Sequence, residues 1–162
     1  MSDPLWAPWR LEYVSSASEQ TGCVFCRAAA AAFDDPDSLI VHRGDRAFVM
    51  LNRFPYSSGH LLVAPTRHVG AFGELSEQEA AEIHSLGARA IEVLSGLFQP
   101  DGFNVGWNLG RSAGAGVVDH VHEHVVPRWQ GDTNFMPVLA DVRVIPEHLL
   151  ATHARVKAAW SE

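Results

Sequence analysis

Three histidines alternate with other residues in His120-Val121-His122-Glu123-His124-Val125-Val126-Pro127. Alternate side chains of an extended strand share a face, so the three imidazoles would line one side, about 7 Å apart. Such a row has three readings. It can be chance placement on an exposed edge. It can be a catalytic centre in which all three histidines bind one metal. Or a neutral imidazole can attack phosphorus while its neighbours bind phosphate and orient the ring. The preceding stretch Asn108-Leu109-Gly110-Arg111-Ser112-Ala113-Gly114-Ala115-Gly116 favours the third. Its glycines let backbone N–H groups approach a phosphate closely. By itself it would be a flexible connection, with Arg111 and Ser112 either touching phosphate or solvated. A second cluster, Cys23-Val24-Phe25-Cys26, also has three readings. It is a redox pair at a helix start, half of a zinc site, or two buried thiols. As a zinc site it needs two more ligands. With no third cysteine these must come from His, Asp or Glu, and spacing does not choose among nine histidines.

The run His120 to Val126 resembles the signature of the histidine-triad (HIT) family, His-apolar-His-apolar-His-apolar-apolar, except that Glu123 holds an apolar position. Glu123 is expected to face away from the triad and meet solvent. Upstream, Leu51-Asn52-Arg53, Gly59-His60 and Ala64-Pro65 look like the family's nucleotide-binding hairpin. Downstream, Pro127-Arg128-Trp129 and Gly131-Asp132-Thr133-Asn134-Phe135 look like the bacterial branch near the diadenosine polyphosphate phosphorylases, as does Leu5-Trp6-Ala7-Pro8-Trp9-Arg10.

The resemblance implies a role for each matching position. His122 resembles the nucleophile that attacks the α-phosphorus of a nucleotide. The nucleotidyl group then passes to water or to inorganic phosphate. His124 resembles the phosphate-binding histidine that assists the leaving group, and His60 the supporting fourth histidine. Asn52 would meet the ribose. Asn108, matched across a one-residue gap, would contact phosphate or orient a histidine, and Ser112 and Gly116 would complete the substrate loop. HIT proteins with a CxxC pair, and the related hexose-1-phosphate uridylyltransferases, imply a structural zinc ion on Cys23, Cys26, His68 and His120. That assignment withdraws His120 from the chemistry, and no organic cofactor is expected. A homodimer with sheets joined across the twofold axis is also implied.

The expected activity is cleavage of dinucleoside polyphosphates or nucleoside phosphoramidates through a nucleotidyl-histidine. The Trp129 to Phe135 segment points to phosphorolysis. Ala115-Gly116, with no hydroxyl to grip an acceptor phosphate, sets the expectation at hydrolysis. The competing classes are the three-histidine metal enzyme and a non-catalytic nucleotide sensor.

These residues need a frame. Leu39–His42, Ala47–Leu51, Leu61–Ala64, Phe103–Trp107 and Val121–Val126 read as strands, and Val138–Ile145 as a last one. Arg27 to Ala32 reads as a short helix. Ser76-Glu77-Gln78-Glu79 has the form of a capping box. Behind it Ile83, Leu86, Ala90, Val93 and Leu97 recur at helical spacing and predict a helix over 77–98. Pro146–Trp160 reads as a terminal helix, and the aromatic segment 1–20 as an arm packed on the body. This order predicts one α+β domain over 1–162, HIT-like, with a mainly antiparallel sheet.

The whole-chain numbers agree with that frame. A chain of 162 residues with 47% hydrophobic and 19% charged residues fits one compact domain. The formal charge of -7 argues against a broad nucleic-acid surface, though not against one phosphate held by amides and histidines. No apolar run reaches membrane-spanning length, and the first residues lack the pattern of a secretory signal. A nucleotide is therefore the expected partner, without nucleic acid or membrane, and the cytoplasm the expected compartment.

Overall fold

The computed structural model describes residues 22–132 and 147–161. Five strands make one antiparallel sheet: β1 (Ile40–Arg43), β2 (Ala47–Leu51), β3 (Leu61–Pro65), β4 (Gly102–Trp107) and β5 (Glu123–Arg128), ordered β1-β2-β3-β5-β4. The described helices are α1 (Val24–Ala30), α2 (Glu77–Phe98) and α3 (Leu149–Trp160). The α+β expectation holds, with one long helix and a helix near the C-terminus. The expected arm over 1–20 and strand Val138–Ile145 lie outside the described residues. Among those described, no helix is long and apolar enough to cross a membrane.

The centre of the sheet follows from composition. β2 and β3 are buried at every position and pair from Ala47↔Pro65 to Leu51↔Leu61. Uninterrupted apolar runs suit strands covered on both faces. Met50 pairs with Leu62, and Leu62 with His124, so these three share one face. Val63 pairs with Glu123, on the opposite face. The long helix α2 covers that opposite face. It starts with a capping box in which Ser76 and Glu79 satisfy each other's backbone amides. It ends at Gln99, a left-handed cap with φ of 48°. The Arg67 guanidinium, which donates two hydrogen bonds to the Glu79 carboxylate, is the main reason that carboxyl is lowered to about 2.

Most strand and helix ends shift from expectation by one to three residues, and those around α1 and the start of β5 bear on the site. α1 starts at Val24 rather than Arg27, with Cys23 as its N-cap, and ends at Ala30 rather than Ala32. The Arg43 guanidinium donates to the carbonyls of Ala28, Ala29 and Ala31 and closes that end. β5 begins at Glu123, not Val121. The Val121 amide instead bonds the Val69 carbonyl at 2.8 Å, drawing the chain off the sheet ladder. Only His124 of the triad therefore lies within a strand. Glu123 does face away from His124, but into the protein rather than into solvent. It is half-buried under α2, where a Cβ on Gly87 would lie 2.6 Å from Oε2. That burial raises its carboxyl pKa.

Candidate functional site

His60 immediately precedes β3 and His124 lies in the neighbouring β5, so sheet pairing alone brings them together. His60 Nε2 is 2.9 Å from His124 Nδ1. The Tyr56 backbone N–H donates to His60 Nδ1 at 3.1 Å. A backbone amide can only donate, so His60 Nδ1 accepts and its proton sits on Nε2. Nε2–H then donates to His124 Nδ1. The neutral His124 consequently carries its proton on Nε2, 3.4 Å from the Asn108 side-chain amide, which can accept that proton only with its oxygen turned toward the ring. That N–H is the donor offered to a phosphate oxygen or a departing one.

His122 is fixed by a different acceptor. Its Nδ1 donates to the His120 carbonyl at 2.9 Å, which leaves the Nε2 lone pair available as nucleophile. The Phe25 ring packs against its imidazole at 4.6 Å between centroids. Burial lowers the pKa of His122, and that of His124 to about 4. Both rings are neutral near pH 7, the state a histidine nucleophile requires. They line a cavity of about 1040 Å³ together with Met50, Asn52, Leu62 and Gly116.

Cys23 lines the same cavity, and with Cys26, His68 and His120 it forms a cluster whose donor atoms all lie within 4.8 Å of one another. Cys23 Sγ and Cys26 Sγ each lie 3.2 Å from an imidazole Nδ1, of His120 and His68 respectively. Tetrahedral bonds of about 2.3 Å to sulfur and 2.0 Å to nitrogen put neighbouring donors about 3.5 Å apart. The four residues fit that geometry and could hold a metal ion. His120 Nε2 donates to the Pro65 carbonyl at 2.9 Å, so its Nδ1 faces the thiols unprotonated. Burial raises the Cys23 thiol pKa, opposite to the depressed value of a reactive redox cysteine.

The structure thus brings His60, His122 and His124 together and sets Asn108 beside them. Asn52 lines the cavity, but its amide is engaged. Nδ2 lies 3.2 Å from His60 Nδ1, and Oδ1 accepts the Phe54 N–H. Ser112 stands exposed in the 3-10 turn Arg111–Ala113, and the cavity wall there is formed by Arg111 and Gly114 instead. Among the described residues, the side chains grouped closely enough to hold a metal ion include His120 alone of the triad. His120 Nδ1 faces the thiols, while the Nδ1 atoms of His122 and His124 are bound to a carbonyl and to His60. Sequence reasoning missed two residues, Tyr56 and Phe25. The first acts through its backbone, which has no residue-type signature. The second lies between the cysteines, and only their joint binding to histidines could have pointed to it.

The chain is 37% identical to the AP-4-A phosphorylase of Mycobacterium tuberculosis, over 97% of this chain and 84% of that protein. It is 31% identical to an adenosine 5'-monophosphoramidase of Schizosaccharomyces pombe, over 65% of this chain and 74% of that protein. Among solved structures, a zinc-bound histidine triad family protein from Mycobacterium smegmatis superposes with a TM-score of 0.67 at 26% identity. The match covers 86% of this chain and 94% of that one. Residues 34–131 match the HIT domain model, and the chain belongs to the HIT domain family.

Proposed function

We propose that this protein transfers the nucleotidyl group of a dinucleoside polyphosphate, through a covalent bond to His122, onto inorganic phosphate. The observation that carries the reading is the His122 imidazole, held at Nδ1 by the His120 carbonyl with Nε2 open, next to a histidine donor relay. Nε2 attacks the α-phosphorus, and His124 Nε2–H supports the departing oxygen. The acceptor then takes the nucleotidyl group and His122 is restored. Phosphoryl transfer demands positioning and charge stabilisation above all, and this relay supplies both. Phosphate as acceptor is supported by the relative named AP-4-A phosphorylase. Hydrolysis is the second reading, supported by the lack of a hydroxyl at Ala115-Gly116 and by the cavity wall passing through Arg111 and Gly114 rather than Ser112.

The reading includes a structural zinc ion on Cys23, Cys26, His68 and His120. When bound it ties α1 to the approach to β5 and supplies no electrophile to the reaction. Asn52 and Gly116 are assigned to the nucleotide, Asn108 to phosphate or to the His124 ring. A homodimer and a cytoplasmic setting, where thiols stay reduced, belong to the same proposal.

Intact-protein mass spectrometry after brief mixing with diadenosine tetraphosphate tests it. Wild type should carry an adenylyl adduct of about 329 Da that the His122→Gly variant lacks. ADP formed only in the presence of phosphate marks phosphorolysis, and AMP without phosphate marks hydrolysis. Turnover without any adduct, or an adduct retained by His122→Gly, would remove the covalent mechanism.

A further inference from the structure

The cavity must receive a polyanion, yet its charged wall is nearly balanced. Three arginines line it, Arg27, Arg53 and Arg111, against Asp35, Asp37 and Asp119. His122 and His124 are neutral by burial and add no charge. Arg53 donates to the Asp37 carbonyl at 2.8 Å, and Arg27 reaches the Gly22 carbonyl at 3.5 Å. Among the described residues the Arg111 side chain has no hydrogen bond or ion pair. Its backbone, by contrast, is held. Gly110 and Gly114 adopt φ of 83° and 93° on either side of the turn, and the Gly114 N–H bonds the Arg111 carbonyl at 2.9 Å. A fixed turn thus presents an uncommitted guanidinium on the cavity that holds the nucleophile.

We infer that Arg111 is the binding residue of one anion subsite, which takes the phosphate next to the scissile bond and then the incoming inorganic phosphate. The inference rests on the proposed nucleotidyl transfer and deepens it. In the first step the Nε2–P bond forms as the bond from phosphorus to the bridging oxygen breaks, and ATP departs. In the second step an oxygen of inorganic phosphate bonds the same phosphorus, the N–P bond breaks, and ADP departs with release of one proton. Each in-line displacement places the second oxygen opposite His122 Nε2, so departing and incoming phosphates occupy the same place. A planar guanidinium meets two phosphate oxygens at once. An arginine here supplies the grip that Ala115-Gly116 lacks.

The test compares wild type, Arg111→Lys and Arg111→Met on diadenosine tetraphosphate and on adenosine phosphoramidate, whose leaving group has no second phosphate. For Arg111→Met, the loss in kcat/KM should fall at least about tenfold more heavily on the tetraphosphate. The phosphate concentration giving half-maximal ADP should also rise about tenfold, with the lysine variant between. Equal losses on both substrates, or an unchanged phosphate requirement, would overturn the subsite. If wild type forms no adenylyl-His122 with either substrate, the nucleotidyl-transfer reading fails instead. Equilibrium binding of inorganic tripolyphosphate then judges Arg111 separately: weaker binding by Arg111→Met supports the subsite, and equal affinity rejects it.

Discussion

The protonation of the site follows from one backbone amide. The Tyr56 N–H forces His60 Nδ1 to accept, and the consequence runs through His60 Nε2 to His124, where the proton ends on Nε2. Burial reinforces the arrangement by disfavouring imidazolium. The ordinary value is 6.5, His124 is lowered to about 4, and His122 is lowered as well. The sign is therefore fixed. Protonation inactivates the nucleophile, so the acid limb of kcat/KM on adenosine phosphoramidate should have its midpoint below pH 6.5. The same depressed values favour the unfolded chain as pH falls from 6.5 towards 4, so acid should cost stability over that window. A midpoint at or above 6.5 would show that His122 does not titrate as a buried ring. The triad was legible in the sequence because its residue types are rare and its spacing regular. His60 and Asn52 entered through family resemblance. Tyr56 was not legible, because any residue except proline can supply a backbone N–H.

At the scale of elements, the sequence was clearest where one local pattern decides. Ala47–Leu51 was read to the residue because five apolar residues lie between turns, and 77–98 because a capping box precedes a helical stripe. It was least clear where a distant partner decides. β5 starts late because Val121 bonds Val69, and α1 starts early at a cysteine with no helix-capping tendency of its own. α1 is only seven residues long, too short to persist unaided. Its C-terminal carbonyls are gathered by Arg43 at 2.6 to 2.9 Å. Through α1, Arg43 positions Cys23, Cys26 and Phe25. Arg43→Met should therefore weaken metal binding by roughly 10- to 100-fold, as removal of outer supports around metal ligands does. Competition with a chromophoric chelator reads the affinity, and the visible spectrum of the cobalt-loaded protein reads tetrahedral sulfur ligation. Unchanged affinity and spectrum would mean that the tetrad assembles without this clamp.

At the scale of the whole molecule, β4 is the edge of the sheet among the described residues, on the side that carries the site. β4 pairs with β5 along one edge, and its middle residues Asn104 and Val105 are exposed, Val105 by 48%. It has no proline, charge or bulge of the kinds that guard a free edge. A second copy of the same strand, running antiparallel across a twofold axis, would satisfy its open N–H and C=O groups and cover Val105 in both copies. The neighbouring β5 holds His124, and Asn108 follows β4 directly, so the joint would stiffen the catalytic strand from its open side. The proposed homodimer is therefore expected to form through β4. Sedimentation equilibrium at micromolar concentration should give twice the chain mass of 17.7 kDa. Val105→Lys places two like charges at the twofold joint and should return the mass to that of one chain. Turnover should fall with it, because β4 and Asn108 lose their support, while the cluster of Cys23, Cys26, His68 and His120 should keep its metal affinity. A Val105→Lys protein that keeps the double mass would place the joint elsewhere. A wild type that sediments as one chain would mean that the edge strand is tolerated bare.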